Sequence, residues 1–296
     1  MKTIGILVIG STGMLGQALV REIKKRGVGV TGIARSGADF SCDIKNDQTL
    51  KEIISLVKPQ IIINTAAIVN LPKCEEKPDY AYLINARPAS ILAEISFKMG
   101  IYFIQISTDH YYTSDRNIKH TEEHPIRLIN EYARTKYAAE RFALTCPNAL
   151  VVRTNIIGFR HKMDTPTFLE WAIQSIENNS PITLFDDYFT SSINVSQFSC
   201  ALLDIIEKRS NGIINLASRD VFSKKNLIFA LAEKLGYSLT NAKTGSVFEE
   251  GNLLRAESLG LEVEKAESIL GYNLPTLSEV IESIAQEYEN GVKDEI

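Results

Sequence analysis

The stretch Thr3-Ile-Gly-Ile-Leu-Val-Ile9-Gly10-Ser-Thr-Gly13-Met-Leu-Gly16 decides how the chain is read. Its first seven residues form a short apolar run that leads straight into a glycine-rich turn, which predicts a buried strand. Beyond the turn, Leu15 to Arg26 carries apolar residues at helical spacing. A glycine turn between a strand and a helix lets a phosphate approach backbone N–H groups and the positive end of the helix dipole. Glycines also serve plain tight turns, so the strand–turn–helix context is what makes the motif informative. Gly10, Thr12, Gly13 and Gly16 are therefore candidate positions for holding a dinucleotide pyrophosphate.

The pattern repeats outward from this turn. Val28 to Ala34, Gln60 to Ala66, Tyr102 to Thr108 and Ala149 to Asn155 read as buried strands, and Gln48 to Val57, Tyr80 to Met99 and Glu131 to Thr145 as helices. Such alternation predicts an α/β fold, a Rossmann-type doubly wound parallel sheet that binds ligands at the carboxyl ends of its strands. The second half is less regular, with helices expected over Pro166 to Glu177, Val195 to Lys208, Lys224 to Leu235 and Leu277 to Tyr288, and strands over Ile182 to Phe185 and Gly212 to Ala217. Residues 1–155, completed by 182–218, are expected to form the dinucleotide-binding core. Residues 156–181 and 219–296 are expected to form a smaller substrate-binding part, with the polar end Glu287 to Ile296 fraying.

The chain has 296 residues, 45% hydrophobic and 23% charged, the composition of a globular protein with a sizeable core. No run of about 18 apolar residues exists to span a bilayer, and the N-terminal run lacks a small-x-small cleavage site, so neither a membrane span nor a signal peptide is expected. A net charge of -4 argues against a nucleic-acid partner, whose phosphates call for clustered Lys and Arg. Cys42, Cys74, Cys146 and Cys200 are widely spaced, which fits reduced thiols in a cytoplasm.

The end of the second strand reads Gly32-Ile-Ala-Arg35-Ser36, without the acid that usually meets a ribose hydroxyl. A guanidinium and a hydroxyl suit a 2′-phosphate, so Arg35 and Ser36 favour NADPH over NADH. Asp43 is placed to accept from an adenine amino group or to serve a turn.

Tyr132 and Lys136 lie four residues apart on an expected helix, which puts phenol and ammonium on one face. An unperturbed tyrosine is a slow acid near neutrality, and a neighbouring cation lowers its pKa. Thr108, in Ile106-Ser107-Thr108-Asp109, ends the fourth of the longer strands, at the crevice edge. A hydroxyl there can donate to a substrate oxygen while Tyr132 passes the proton. Thr108, Tyr132 and Lys136 are the expected catalytic residues.

The spacing Gly-x-x-Gly-x-x-Gly, together with Asn64-Thr-Ala-Ala67, Leu83-Ile-Asn85-Ala86, Ser107-Thr108-Asp109, Asn130-Glu-Tyr132 with Lys136, Arg153-Thr154 and Leu184-Phe-Asp-Asp187, resembles an extended short-chain dehydrogenase/reductase. The likeness is closest to the dTDP-4-dehydrorhamnose reductase branch and runs over nearly the whole chain. The resemblance implies that main chain at Gly13, Met14 and Leu15 cradles the pyrophosphate. It implies Asp43 and Ile44 at the adenine, Ala66, Ala67 and Ile68 at the cofactor's inner face, and Lys136 binding cofactor. It also implies that Thr108 and Asp109 touch substrate, with His110 and Asn155 bordering the same pocket, and that a nucleotide-linked 4-keto-6-deoxy sugar is reduced. A homodimer is allowed and not required.

The branch usually continues Ser-Thr-Asp with Tyr-Val-Phe, where this chain has His110-Tyr111-Tyr112. Pro72, Ile156 and Ala133 replace an Asp, an aromatic and a glycine of the family pattern, so the chemistry resembles the family's more than the sugar pocket does. His110 could act as a base, as a glutamate does in related dehydratases, or simply contact substrate. His120 and His124 flank Glu122 and Glu123 at a spacing some metal sites use, but Pro125 follows at once and the stretch reads as a solvated surface loop; no metal is expected. The alternatives to a reductase are an epimerase or dehydratase that retains its nicotinamide, and a non-catalytic NADP-binding regulatory subunit.

Overall fold

A computed structural model describes residues 5–160, 166–249 and 254–292. Thr3 and Ile4 of the first expected strand, and the last four residues of the expected frayed end, lie outside the described residues. The elements in chain order are β1 Gly5–Ile9, α1 Met14–Lys25, β2 Gly29–Ala34, β3 Phe40–Ser41, α2 Asp47–Val57, β4 Ile61–Asn64, α3 Leu71–Glu76, α4 Pro78–Asn85, α5 Arg87–Met99, β5 Tyr102–Ile106, α6 Glu131–Ala143 and β6 Ala149–Arg153. They continue with β7 Ile156–Ile157, α7 Phe168–Glu177, β8 Ile182–Phe185, β9 Phe189–Thr190, β10 Ile193–Asn194, α8 Val195–Glu207, β11 Gly212–Asn215, β12 Phe222–Ser223, α9 Lys224–Lys234, β13 Ala242–Gly245, β14 Ser258–Leu259, α10 Glu264–Leu270 and α11 Leu277–Glu287.

The chain divides into two compact units, the first running to Thr108 and adding Leu128–Arg153 and Leu202–Ile214. Its sheet has seven strands in the order β11-β6-β5-β4-β1-β2-β3, with β3 through β6 joined by parallel pairs. The order reverses between β1 and β4, the crevice where Rossmann-type sheets take their ligands. Ile61, Ile62 and Ile63 in β4 are all buried, as a strand covered on both faces requires. Leu15, Leu19 and Ile23 form the buried stripe of α1, and each such side chain contributes roughly 1.5–3 kcal/mol on burial. Lys24 and Lys25 occupy the last turn, where the dipole favours cations, and Gly27, at φ +70°, turns the chain toward β2.

The single helix expected over Tyr80 to Met99 is instead two, α4 and α5, separated at Ala86. The cause is Pro88, which has no N–H to donate back into α4 and is tolerated only in the first turn of a new helix. Gly100 ends α5 in the left-handed region at φ +67°.

The second unit comprises Asp109–Arg127, Thr154–Ala201 and the chain from Asn215 onward. Of residues 182–218, expected to complete the core, β11 joins the large sheet, whereas β8 pairs in parallel with β13 in a separate two-stranded sheet. Helices α7, α9 and α11 bury Ile173, Leu231 and Ile284 in one core with Leu184 of β8. Capping boxes fix the starts of α7 (Thr167 with Glu170) and α11 (Thr276 with Glu279). No helix among the described residues is long and apolar enough to cross a membrane.

Candidate active site

The glycine turn after β1 has the shape a pyrophosphate needs. Gly10 sits at φ +84°, and a Cβ there would lie 2.7 Å from Thr65 Oγ1 and 3.0 Å from Ala66 N. A Cβ on Gly16 would stand 2.1 Å from the Gly10 carbonyl, so the third glycine is what lets α1 lie close against the turn. Gly13 is the N-cap of α1; no side chain caps that helix and no acid stands in its first turn. The backbone N–H groups at Met14 and Leu15 thus open a helix whose positive end is not offset by an acid of its own first turn. Thr12 is held beside them by its carbonyl, which accepts from Gln17 Nε2 at 3.0 Å. These residues fit a dinucleotide.

Ala66, Ala67 and Ile68 follow β4, half-buried, next to Gly10 across the strand-order reversal. Asn85 fixes this loop: its Oδ1 accepts from Ile68 N at 2.7 Å, while its Nδ2 donates to Ile68 O at 3.1 Å and to Thr135 Oγ1 of α6 at 3.0 Å. The loop's position is therefore tied to the helix that carries Tyr132 and Lys136.

On the adenine side, Arg35 and Ser36 are exposed at the end of β2. Asp43 turns back onto its own loop, with Oδ1 accepting from Lys45 N at 3.0 Å and Oδ2 lying 3.3 Å from Lys45 Nζ. The Lys45 backbone N–H, aided by the charges of Lys45 and Arg35, holds the Asp43 carboxyl below its usual range. Ile44 follows it, packed against the core of the first unit. The sequence reading missed Asp39, whose Oδ2 accepts from Gly32 N at 2.7 Å and so brings an acid to β2 after all. Asp39 lies seven residues from its partner, in a loop whose path no local pattern reveals.

The expected catalytic residues Thr108, Tyr132 and Lys136 all belong to the first unit. Asn130 caps α6 by accepting from Ala133 N at 2.8 Å, which places Tyr132 in the first turn and Lys136 one turn on. Tyr132 is buried among Cys74, Ala81, Ile68 and Leu71. Lys136 is 4% exposed, and its ammonium donates to the Ile106 carbonyl at 2.8 Å, at the end of β5 and two residues before buried Thr108. Burial pushes the Lys136 pKa down to about 8 against the opposing pull of Glu140, so the group remains a cation at neutral pH.

Glu140, one turn beyond Lys136, was not singled out by the sequence reading. It is fully buried and takes Arg153 in a bidentate pair, Nε to Oε1 at 3.0 Å and Nη2 to Oε2 at 2.9 Å, while Ser107 Oγ donates to Oε1 at 2.6 Å. Ser107 immediately precedes Thr108, so this network pins α6, β6 and the end of β5 beside Thr108 and Lys136. Its four-residue spacing from Lys136 puts Glu140 on the Tyr132 face, the one sequence signal that could have marked it.

The expected substrate residues Asp109, His110 and Asn155 fall in the second unit. Asp109 is buried and its Oδ2 accepts from Asn155 Nδ2 at 2.7 Å; Asn155 Oδ1 in turn accepts from Ser192 Oγ at 2.7 Å. His110 Nε2 lies 3.9 Å from Asp109 Oδ1. Burial, with Lys224 and Arg255 nearby, lowers the His110 pKa to about 4, so the ring is neutral and a weak base near pH 7. Burial also lowers Lys224 to about 8, against the pull of Asp109. Lys224 and Arg255 are separated from His110 by more than a hundred residues and were not found in the sequence.

The loop over His120 to His124, expected to be solvated, is corrected at His120, which is fully buried. A β-bridge to Leu261 draws it in, and its ring stacks on Tyr112 at 4.0 Å between centroids.

A family model described as the RmlD substrate binding domain matches residues 3–290. The chain belongs to that family. Among relatives of this family member, a protein of Haloferax volcanii named probable low-salt glycan biosynthesis reductase Agl14 is 24% identical over 282 residues, covering 92% of this chain and 94% of that protein. Its structure is similar to dTDP-4-dehydrorhamnose reductase from Bacillus anthracis in complex with NADP, with a TM-score of 0.86 at 23% identity over 97% of this chain and 100% of the other. It is similar too to UDP-glucose 4-epimerase from Thermotoga maritima with UDP-glucose, with a TM-score of 0.82 at 21% identity over 97% and 99%. The fold is that of the extended short-chain dehydrogenases/reductases, as the glycine turn and the alternating elements predict.

Proposed function

We propose that this RmlD-family chain is an NADPH-dependent reductase of a nucleotide-linked 4-keto-6-deoxy sugar. The observation that carries the proposal is the Lys136 ammonium, hydrogen-bonded to the Ile106 carbonyl at 2.8 Å beside the strand end that presents Thr108 and one helical turn from Tyr132. With its pyrophosphate held at the glycine turn, a bound NADPH would supply the hydride. The Tyr132 hydroxyl gives the proton to the carbonyl oxygen, and the Thr108 hydroxyl donates a hydrogen bond to that same oxygen as charge gathers on it. Lys136 stabilises the phenolate left behind, which is why its cationic state near neutrality matters. Asp109, His110 and Asn155 take the sugar's hydroxyl groups, with neutral His110 acting by contact rather than as a base.

The names of the Haloferax relative and the Bacillus neighbour, a reductase and a reductase holding NADP, support this reading. The epimerase neighbour raises a second one, in which the nicotinamide is retained and the hydride recycled. Screening dTDP-, UDP-, GDP- and CDP-linked 4-keto sugars for stoichiometric NADPH oxidation separates the two, since recycling gives no net oxidation. Tyr132→Phe should keep cofactor binding and lose about 10²–10⁴ in turnover; equal activity removes the phenol from the mechanism. A non-catalytic regulatory role is disfavoured by the intact Thr108, Tyr132 and Lys136.

For the cofactor, Arg35 supports NADPH and Asp39 at Gly32 supports NADH, because a carboxylate repels a 2′-phosphate. Arg35→Ala should weaken NADPH more than NADH, and Asp39→Asn should weaken NADH more. If Arg35→Ala weakens both alike, the 2′-phosphate assignment is wrong.

A further inference from the structure

The Asp109–Arg127 excursion of the second unit carries a side-chain cluster that the proposed reduction does not use. Asp115, His120 and His124 each offer one ligand-type atom, all within 4.8 Å of one another. His120 Nδ1 lies 2.7 Å from the Gly260 carbonyl. A carbonyl only accepts, so Nδ1 carries the proton and Nε2 presents its other face to Asp115 Oδ2, 3.2 Å away. A contact of that length is satisfied by a proton on Nε2 or by a cation held between nitrogen and oxygen. His124 Nε2 approaches the same oxygen at 3.9 Å, a third donor that a simple proton bridge does not need.

We propose that Asp115, His120 and His124 form a binding site for a divalent transition-metal cation, zinc by its donor set, which staples this excursion into one conformation. Zinc takes imidazole nitrogen and carboxylate oxygen at about 2.0–2.2 Å in tetrahedral array, which sets ligand atoms roughly 3.3–3.4 Å apart. Two of the three separations, 3.2 and 3.9 Å, bracket that value, and all three lie within 4.8 Å. The second shell is built: Nδ1–H to a backbone carbonyl fixes the His120 ring and its tautomer, as metal-bound imidazoles require. The His120 backbone is held by its own N–H to Gly260 O at 3.0 Å and by Asn215 Nδ2 to its carbonyl at 2.9 Å. Asp115 N donates to Ser258 Oγ at 2.9 Å, so the backbone that carries the carboxylate is tied to the 258–260 segment. Asp115 and His124 are 38% and 37% exposed, which gives an entry path and leaves the fourth position to water. His120-Thr-Glu-Glu-His124 has the His-x-x-x-His spacing of zinc ligands, here on a loop rather than a helix.

The test uses the untagged, full-length chain, stripped with chelator and titrated with ZnCl2 at pH 7.5 in competition with a chromogenic chelator. The expected result is one zinc per chain and a rise in Tm of about 5 °C at a hundredfold excess over Kd. His124→Asn and Asp115→Asn, both at half-exposed positions, should weaken zinc by at least about tenfold with the far-UV spectrum unchanged. Cobalt should give tetrahedral d–d bands without the thiolate charge-transfer band that cysteine ligation produces. No stoichiometric zinc, or equal affinity in the wild type and both variants, overturns the proposal.

Discussion

Replacing Glu140 tests the idea that the catalytic residues are held by a buried charge network. In the folded chain Glu140 is inaccessible, and its carboxylate accepts two Arg153 N–H groups and the Ser107 hydroxyl. Glu140→Gln keeps the shape but removes the charge that compensates a guanidinium only 3% exposed. Breaking one partner of such a pair costs about 3–5 kcal/mol, and weakening the Ser107 bond adds about 1 kcal/mol. Urea denaturation followed by circular dichroism should therefore show a midpoint far below wild type at unchanged m. The double variant Glu140→Leu/Arg153→Met, which removes both charges, should recover much of that loss. Glu140→Gln should also leave Lys136 without the carboxylate that raises its pKa, moving that pKa further below 8. A loss under about 1 kcal/mol, or a double variant no better than the single one, would refute the network argument.

Lys136 predicts a pH signature of its own. Its folded pKa of about 8 lies below the ordinary lysine value of 10.5, so the unfolded chain binds more protons between those limits and the Lys136 contribution to stability rises with pH across that window. The difference in unfolding free energy between wild type and Lys136→Met should shift by about 3 kcal/mol in favour of wild type from pH 8 to 10.5, and a flat difference would contradict the depressed pKa. For His110, proton NMR of the ring should give a midpoint near 4, and stability tied to the neutral ring should be lost as pH falls from about 6.5 through 4. A midpoint at the ordinary value would restore His110 as a candidate base.

What the sequence made legible was set by short-range pattern. Gly10 to Gly16 and Tyr132 with Lys136 are read from spacing within their local strand–turn–helix and helix context, because a turn and one helix face fix them. The end of β5 was readable for the same reason, as an apolar run closing in Ser107-Thr108-Asp109. Glu140 was not, since a helical glutamate looks solvated until Arg153 is brought across from β6. Asp39 and Gly32, His110 with Lys224 and Arg255, and His120 with Gly260 are joined by loop paths and by pairings such as the His120–Leu261 bridge, which local propensity does not encode. The division of Tyr80 to Met99 was legible in principle at Pro88, but the continuous apolar spacing masked it.

The most direct test follows the hydride and the proton together. Wild-type protein should be incubated with a dTDP-linked 4-keto-6-deoxy sugar and NADPH deuterated at the nicotinamide carbon, with product deuterium measured by mass spectrometry beside a Tyr132→Phe control. One deuterium per product sugar with one NADPH oxidised, and little product from the control, is the predicted result. Product formed without deuterium or without cofactor oxidation, or formed equally fast by the control, contradicts a Tyr132-driven reduction.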